Sequence, residues 1–344
     1  MKGKITALIL TLTILATASL QALTITGDVT ILKGQTFTLT NQTYTVDGNF
    51  TTQGATVNIT NSTLEGTGKL QFTYGVVTII NSTVKNFKSA SFLYQGKLVL
   101  QNVTFQNVTG QTSLSCITNY EINGLNFINP PVTNVLNLYK MCNGEINGLS
   151  YTYQSKDLVG CAVSLIKCVN LTFNNANGYG PRTVDSPHHH ILACGTENYG
   201  VIIKNSVFNG GGNGATGGIA AWLNCTFINN TDGVEYKDQQ PLNFVNCTWI
   251  GTHDAEVNLQ SGIELNFVGC TFTKGLVSLN NGVATLTNCT FPNGCVMTDL
   301  GGNRDGVWHQ GVIMQYWNYT HYQKVSVADW YENRQNLNYT LMPD

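Results

Sequence analysis

Four cysteines, Cys225, Cys247, Cys270 and Cys289, stand in "NCTF", "NCTW", "GCTF" and "NCTF". Thiols recurring at 22, 23 and 19 residues could pair as disulfides, ligate zinc or lie inert as small hydrophobes. Zinc is disfavoured because the chain has no C-x-x-C pair to begin such a site. A second cluster lies at 174–200, "NNANGYGPRTVDSPHHHILACGTENYG", which gathers Arg182, Asp185, His188, His189 and His190. His188 and His190 fall on one side of a strand with Asp185 or Cys194 near, a pattern that could hold a metal. Surface or structural histidines are the commoner explanation, so no metal and no cofactor is expected. Asp232 follows in "NTDG", and His253 and Asp254 in "THD", groups able to move protons at neutral pH.

What positions these residues is a repeat. Asn41, Asn61, Asn81, Asn102, Gly124, Gly148, Asn170, Asn205, Asn224, Asn246, Gly269 and Asn288 are equivalent, at intervals of 19 to 24 residues with one of 35. Two residues before each stands an apolar side chain, and three after, ten of the twelve are aromatic. A unit this short, rich in alternating β-formers such as "VTII" and "LVLQ", reads as one coil of a parallel β-solenoid. Asn and Gly suit its tight bends because both tolerate the left-handed backbone conformation. Stacked coils should align the asparagines in an internal ladder of amides. Alternation turns the following position inward, so the four cysteines are expected to stack as buried side chains, either free or bridged from coil to coil.

Fourteen N-x-S/T sequons occur. Eight are ladder positions (41, 61, 81, 102, 170, 224, 246, 288) and are expected to face inward without glycan. Asn49, Asn58, Asn107, Asn229, Asn318 and Asn338 remain as glycosylation candidates.

Composition sets the outer bounds. Charged residues make up only 10% of the 344, and the net charge is −2, against about 25% charged in an average soluble protein. No basic stretch is available for phosphates, which excludes nucleic acid as a partner. "MKGKITALILTLTILATASLQA" has the basic tip, apolar run and small residues of a cleaved secretory signal, so residues 1–22 are read as a leader and the product as secreted, at the cell surface or outside it. No later run is long and apolar enough to span a bilayer, so no membrane association is expected after cleavage.

The repeat resembles the right-handed parallel β-helix proteins of the pectate-lyase superfamily over roughly residues 25–300. The resemblance implies an all-β, single-stranded right-handed parallel β-helix of about twelve coils over 23–300. Residues 301–344, with Trp308, Trp317 and Trp330, read as a C-terminal aromatic-rich cap, and "SVAD" at 326–329 as the start of a short helix. Within this fold, "DSPHHHILACGTENYG" is similar to a segment of the polygalacturonase family of glycoside hydrolases, where S-P-x-x-H-I leads to N-T-D-G, then D-D, G-H-G and R-x-K. Ser186, Pro187, His190 and Ile191 match the first element, and Asn230 to Gly233 spell the second.

Two registers compete. In one, Asp232 and Asp254 are the acids and His253 replaces the first member of the D-D pair. In the other, Asp232 stands near that pair and His253 takes the place of the G-H-G histidine. Neither supplies an R-x-K. The resemblance implies catalytic Asp232, His253 and Asp254, with Arg182, His188, His190 and Lys274 binding a polysaccharide. Inversion at a glycosidic bond requires carboxyl groups about 6.5 to 9.5 Å apart, which equivalent points of successive coils could provide.

The competing expectation is non-enzymatic: a secreted surface or extracellular structural protein that binds polysaccharide or cell-surface glycan. Such a rod could associate with itself through its ends, because the start at "LTITGDVTILKGQTFTL" has no obvious cap.

Overall fold

A computed structural model describes residues 22–130, 134–152, 160–180, 189–194, 197–211, 213–216, 219–236, 242–252, 256–259, 264–273, 276–278, 283–290, 296–298, 313–318 and 321–325. Every described element is a strand, and the architecture is a parallel β-solenoid. A coil contributes three strands, the first two of which run together as one in Val76–Lys85, Lys97–Gln106, Tyr120–Ile128 and Cys142–Thr152. In an early coil the three are Thr36–Thr40, Thr43–Asp47 and Phe50–Gln53. Each pairs in parallel with its counterpart one coil on, as Leu39 with Ile59, Tyr44 with Leu64 and Phe50 with Leu70. Among the described residues the third strands form one sheet of thirteen strands, and the coil count differs slightly from the twelve expected.

Alternation fills the interior. Val57, Ile59, Leu64, Leu70 and Phe72 are all fully buried, while the residues between them face solvent. Like side chains stack along the axis: Phe72 on Phe92 at 5.0 Å, Phe105 on Phe127 at 5.3 Å, and Phe244 on Phe267 at 4.9 Å between ring centroids. Such pairs add about 0.5–1.5 kcal/mol each beyond the area they bury.

All twelve bend residues read from the repeat have left-handed φ, between 48° and 72°. The asparagines do bond amide to amide along the rod, Asn102 Nδ2 donating to Asn81 Oδ1 at 2.9 Å and Asn224 to Asn205 at 3.0 Å. This ladder lies outside the coil, however. Asn41, Asn61, Asn81, Asn102, Asn170, Asn224, Asn246 and Asn288 are all exposed, which corrects the inward expectation. The left-handed bend inserts an extra residue into the alternation, so the ladder side chain points out and the next one points in. Burial therefore does not shield those eight sequons.

The register also corrects one coil. Ser150 pairs with Asn177, and Asn177 with Val207, so the bend between Gly148 and Asn205 is Asn175, with φ 55°. Asn170 donates to Asn143 in a different row. The irregular interval of 35 thus becomes two long coils.

Cys225, Cys247, Cys270 and Cys289 are free thiols, at most 5% exposed, stacked as their spacing implied. In the tail, Ile313–Asn318 pairs in parallel with Val283–Thr287 and antiparallel with His321–Val325. The expected helix and residues 1–21 of the expected leader lie outside the described residues, while Ala22 opens the first strand.

Candidate functional site

The N-T-D-G run leads into the strand Asp232–Tyr236, and most of it has structural work. Asn230 is 1% exposed; its Oδ1 accepts the Gly211 amide at 2.8 Å and its Nδ2 donates to the Phe208 carbonyl at 3.0 Å. Thr231 is buried. A Cβ on Gly233 would stand 2.3 Å from Trp249 Cδ1, so the indole leaves room only for glycine. The residue left for chemistry is Asp232, which is half-buried.

Gly233 faces Trp249 and Val234 lies in the core, two consecutive inward residues. Asp232 and Glu235 flank that pair, the first half-buried and the second buried. Three residues of strand separate their Cα atoms by roughly 10 Å. Glu235 is only 5% exposed and Glu256, one coil later, is fully buried; the Glu256 carbonyl accepts the Val234 amide at 3.1 Å.

His190 stands in a column that runs on through Asn213 to Asp232, so two coil steps, about 10 Å, separate its backbone from that of Asp232. Below it is Cys161, whose Sγ donates to Asn134 Oδ1 at 3.0 Å; burial pushes this thiol's pKa up. Arg182, His188, His253, Asp254 and Lys274 lie outside the described residues, as does Asn338. Glu235 was missed by sequence reasoning because strict alternation hides the doubled inward step at Gly233 and Val234.

The glycosylation candidates are spread over the rod. Asn49 Nδ2 donates to Asp28 and its Oδ1 accepts the Lys69 amide. Asn107 belongs to a second amide ladder, between Asn86 and Asn129. Asn58 lies in the strand Thr56–Thr60, Asn229 at a left-handed bend, and Asn318 at the end of the strand Ile313–Asn318.

A second feature is the ridge where the third strand of each coil turns into the next coil. Gly54, Tyr74, Tyr94, Cys116, Lys140, Lys167 and Glu197 are left-handed there, with φ of 53° to 70°. For tyrosine or lysine that conformation costs of order 1–3 kcal/mol, and neighbouring bends avoid it with Asn or Gly. Tyr74 is 61% and Tyr94 51% exposed, their rings stacked at 5.2 Å and 18°. The Cys116 thiol holds the Tyr94 hydroxyl above the usual phenol range. Further along, Lys140 Nζ lies 5.3 Å from the centre of the Tyr139 ring, and Lys167 pairs with Glu197 at 2.7 Å. Sequence reasoning passed over this ridge because neither tyrosine nor lysine is expected at such a bend. The available signal was the interval of 20 between Tyr74 and Tyr94.

Comparison of the chain with protein-family models, with curated proteins and with solved structures returned no match. The architecture shown is the parallel β-solenoid itself.

Proposed function

We propose that the protein is a secreted, extracellular carbohydrate-binding rod, a structural β-solenoid whose flank engages glycan and whose ends serve self-association. The observation that carries this reading is the pair of exposed, stacked tyrosines held at strained left-handed positions. Stacking of the two rings, worth about 0.5–1.5 kcal/mol, at most offsets the left-handed strain of order 1–3 kcal/mol at each bend, whereas flat exposed rings suit the apolar face of a sugar. The rest of the described surface, mostly Thr, Asn and Ser on alternating positions, suits hydrogen bonding to hydroxyl-rich ligands. At the start of the rod, Leu23, Ile25, Val29, Ile31 and Phe37 are only partly buried, an apolar end of the kind a second copy would cover. The test is retardation of the mature protein in gels cast with a panel of polysaccharides, compared with the Tyr74→Ala/Tyr94→Ala variant. Retardation lost in the variant supports the reading; migration unchanged on every polysaccharide removes it.

A second reading is a divergent glycoside hydrolase of the polygalacturonase kind. It is supported by the half-buried Asp232 and the buried Glu235, three residues apart on one strand, with His190 in the column of Asp232. In this reading one carboxyl protonates the leaving oxygen and the other activates water. Release of reducing ends that disappears in Asp232→Asn would establish it.

A further inference from the structure

We propose that the ridge contains a slot for one anionic sugar unit, with Gly54 as its floor, the ring of Tyr74 as one wall and Lys33 as the other. The proposal rests on the carbohydrate-binding reading and adds a location and a ligand class to it.

The slot follows from the order of residues along the axis. Lys33, Gly54, Tyr74 and Tyr94 occupy one column, since Ile31 pairs with Thr52, Gln53 with Thr73, and Thr73 with Leu93. The Tyr74 and Tyr94 rings are nearly parallel, so each uses one face on the other. Tyr94 covers the face of Tyr74 toward the later coil. The opposite face looks toward Gly54, which has no side chain to cover it.

Lys33 closes the far side. Its Cβ and Cγ lie only 3.2 Å from the point where a Cβ on Gly54 would stand, so its stem leans over Gly54 and bounds the slot closely, and the residue is exposed. From Lys33 to Tyr74 is two coil steps, about 10 Å. The layer between them has a peptide floor, an aromatic wall and an ammonium group at its rim. A pyranose ring is one layer thick. Its C–H face would lie on Tyr74, and an acidic substituent, carboxylate or sulfate, would meet Lys33 in a charge-assisted hydrogen bond.

Glycine at this position is a choice the ridge does not otherwise make, since the next bends carry Tyr74, Tyr94, Cys116 and Lys140 at similar φ. A side chain here would fill the layer and cover the ring.

The experiment measures binding of the full mature chain to dextran, dextran sulfate and hyaluronan, with Gly54→Asn, Tyr74→Ala and Lys33→Gln beside the wild type. Asn is accepted at φ near 50° throughout this fold, so Gly54→Asn keeps the bend and fills the slot while pushing the Lys33 stem aside by a few tenths of an ångström; unchanged circular dichroism and melting check that the fold is kept. Tyr199→Ala, at another exposed tyrosine, is the control.

We expect Gly54→Asn and Tyr74→Ala to weaken binding at least tenfold and Tyr199→Ala to leave it unchanged. Lys33→Gln should abolish the preference for the charged polymers over dextran. Preference for dextran sulfate alone identifies the acid as sulfate; preference for hyaluronan alone identifies it as carboxylate. Wild-type binding that Gly54→Asn leaves intact overturns the slot while the carbohydrate-binding reading stands. Wild-type binding to no polysaccharide in a wider panel overturns that reading and the slot with it.

Discussion

Replacing Trp249 separates the packing role of its ring from the cost of its unpaired nitrogen. Trp249 is fully buried, face-stacked on Phe227 at 5.4 Å and on Phe272 at 4.7 Å, and edge-on to Phe244 at 5.4 Å. Its indole N–H has no hydrogen-bond partner. Trp249→Ala removes a large buried side chain, which costs about 3–5 kcal/mol. Loss of the two stacked contacts, about 0.5–1.5 kcal/mol each, places it at the upper end. Trp249→Phe keeps both stacks and removes a buried, unsatisfied donor whose desolvation costs about 1–3 kcal/mol. The smaller ring gives back a similar amount in lost burial at about 25 cal/mol per Å². The net change for Trp249→Phe is therefore within about 1 kcal/mol of zero. Urea unfolding followed by circular dichroism measures both variants. Because each coil contacts chiefly its neighbours, loss of hydrogen-exchange protection in Trp249→Ala should centre on the coils of Phe227 and Phe272. A Trp249→Phe variant as unstable as Trp249→Ala would refute the reasoning, as would protection lost evenly along the rod.

Other outcomes follow from the same geometry. Gly233→Ala would set a Cβ 2.3 Å from both Trp249 Cδ1 and the Glu256 carbonyl, so it should destabilise by about 1–3 kcal/mol, visible as a lower urea midpoint. Asn81→Ala loses the bonds to Asn61 and Asn102 and strains a left-handed residue; about 1–3 kcal/mol is expected, and less for Asn81→Gly, by thermal melting. Above about pH 8.5, stability should fall. Burial raises the Cys168 pKa to about 11 and raises that of Cys247 further, while the hydrogen bond to the preceding thiol in the stack raises Cys270 to about 12 and Cys289 beyond it. The unfolded chain releases these protons first, so each thiol removes about 1.4 kcal/mol per pH unit until its folded pKa is passed. Urea midpoints between pH 7 and 10.5 check this, and Cys270→Ala should flatten the slope; a flat profile in the wild type contradicts it.

The periodicity of Asn, Gly, Cys and the aromatics was enough to read the coil, its bends and its buried thiols, because each is a local demand repeated in every turn. The direction of the asparagine ladder was misread because the left-handed bend shifts alternation by one residue, which no residue type announces. Asn175 was overlooked in favour of Asn170 because both belong to asparagine-rich bends and only strand register distinguishes them. The N-T-D-G run looked like chemistry in sequence. Three of its residues answer instead to Gly211, Phe208 and Trp249, partners remote in the chain. Glu235 and the tyrosine ridge escaped notice for the opposite reason, since their significance lies in burial and backbone conformation rather than in any motif.

The most direct test of the central claim is to run the mature protein through gels containing plant, algal, animal and microbial polysaccharides while assaying the same mixtures for new reducing ends. The account predicts retardation on at least one polysaccharide, lost in Tyr74→Ala/Tyr94→Ala, without release of ends. Release of ends that vanishes in Asp232→Asn, with binding unaffected by the tyrosine changes, would contradict it and establish an enzyme in place of a binding rod.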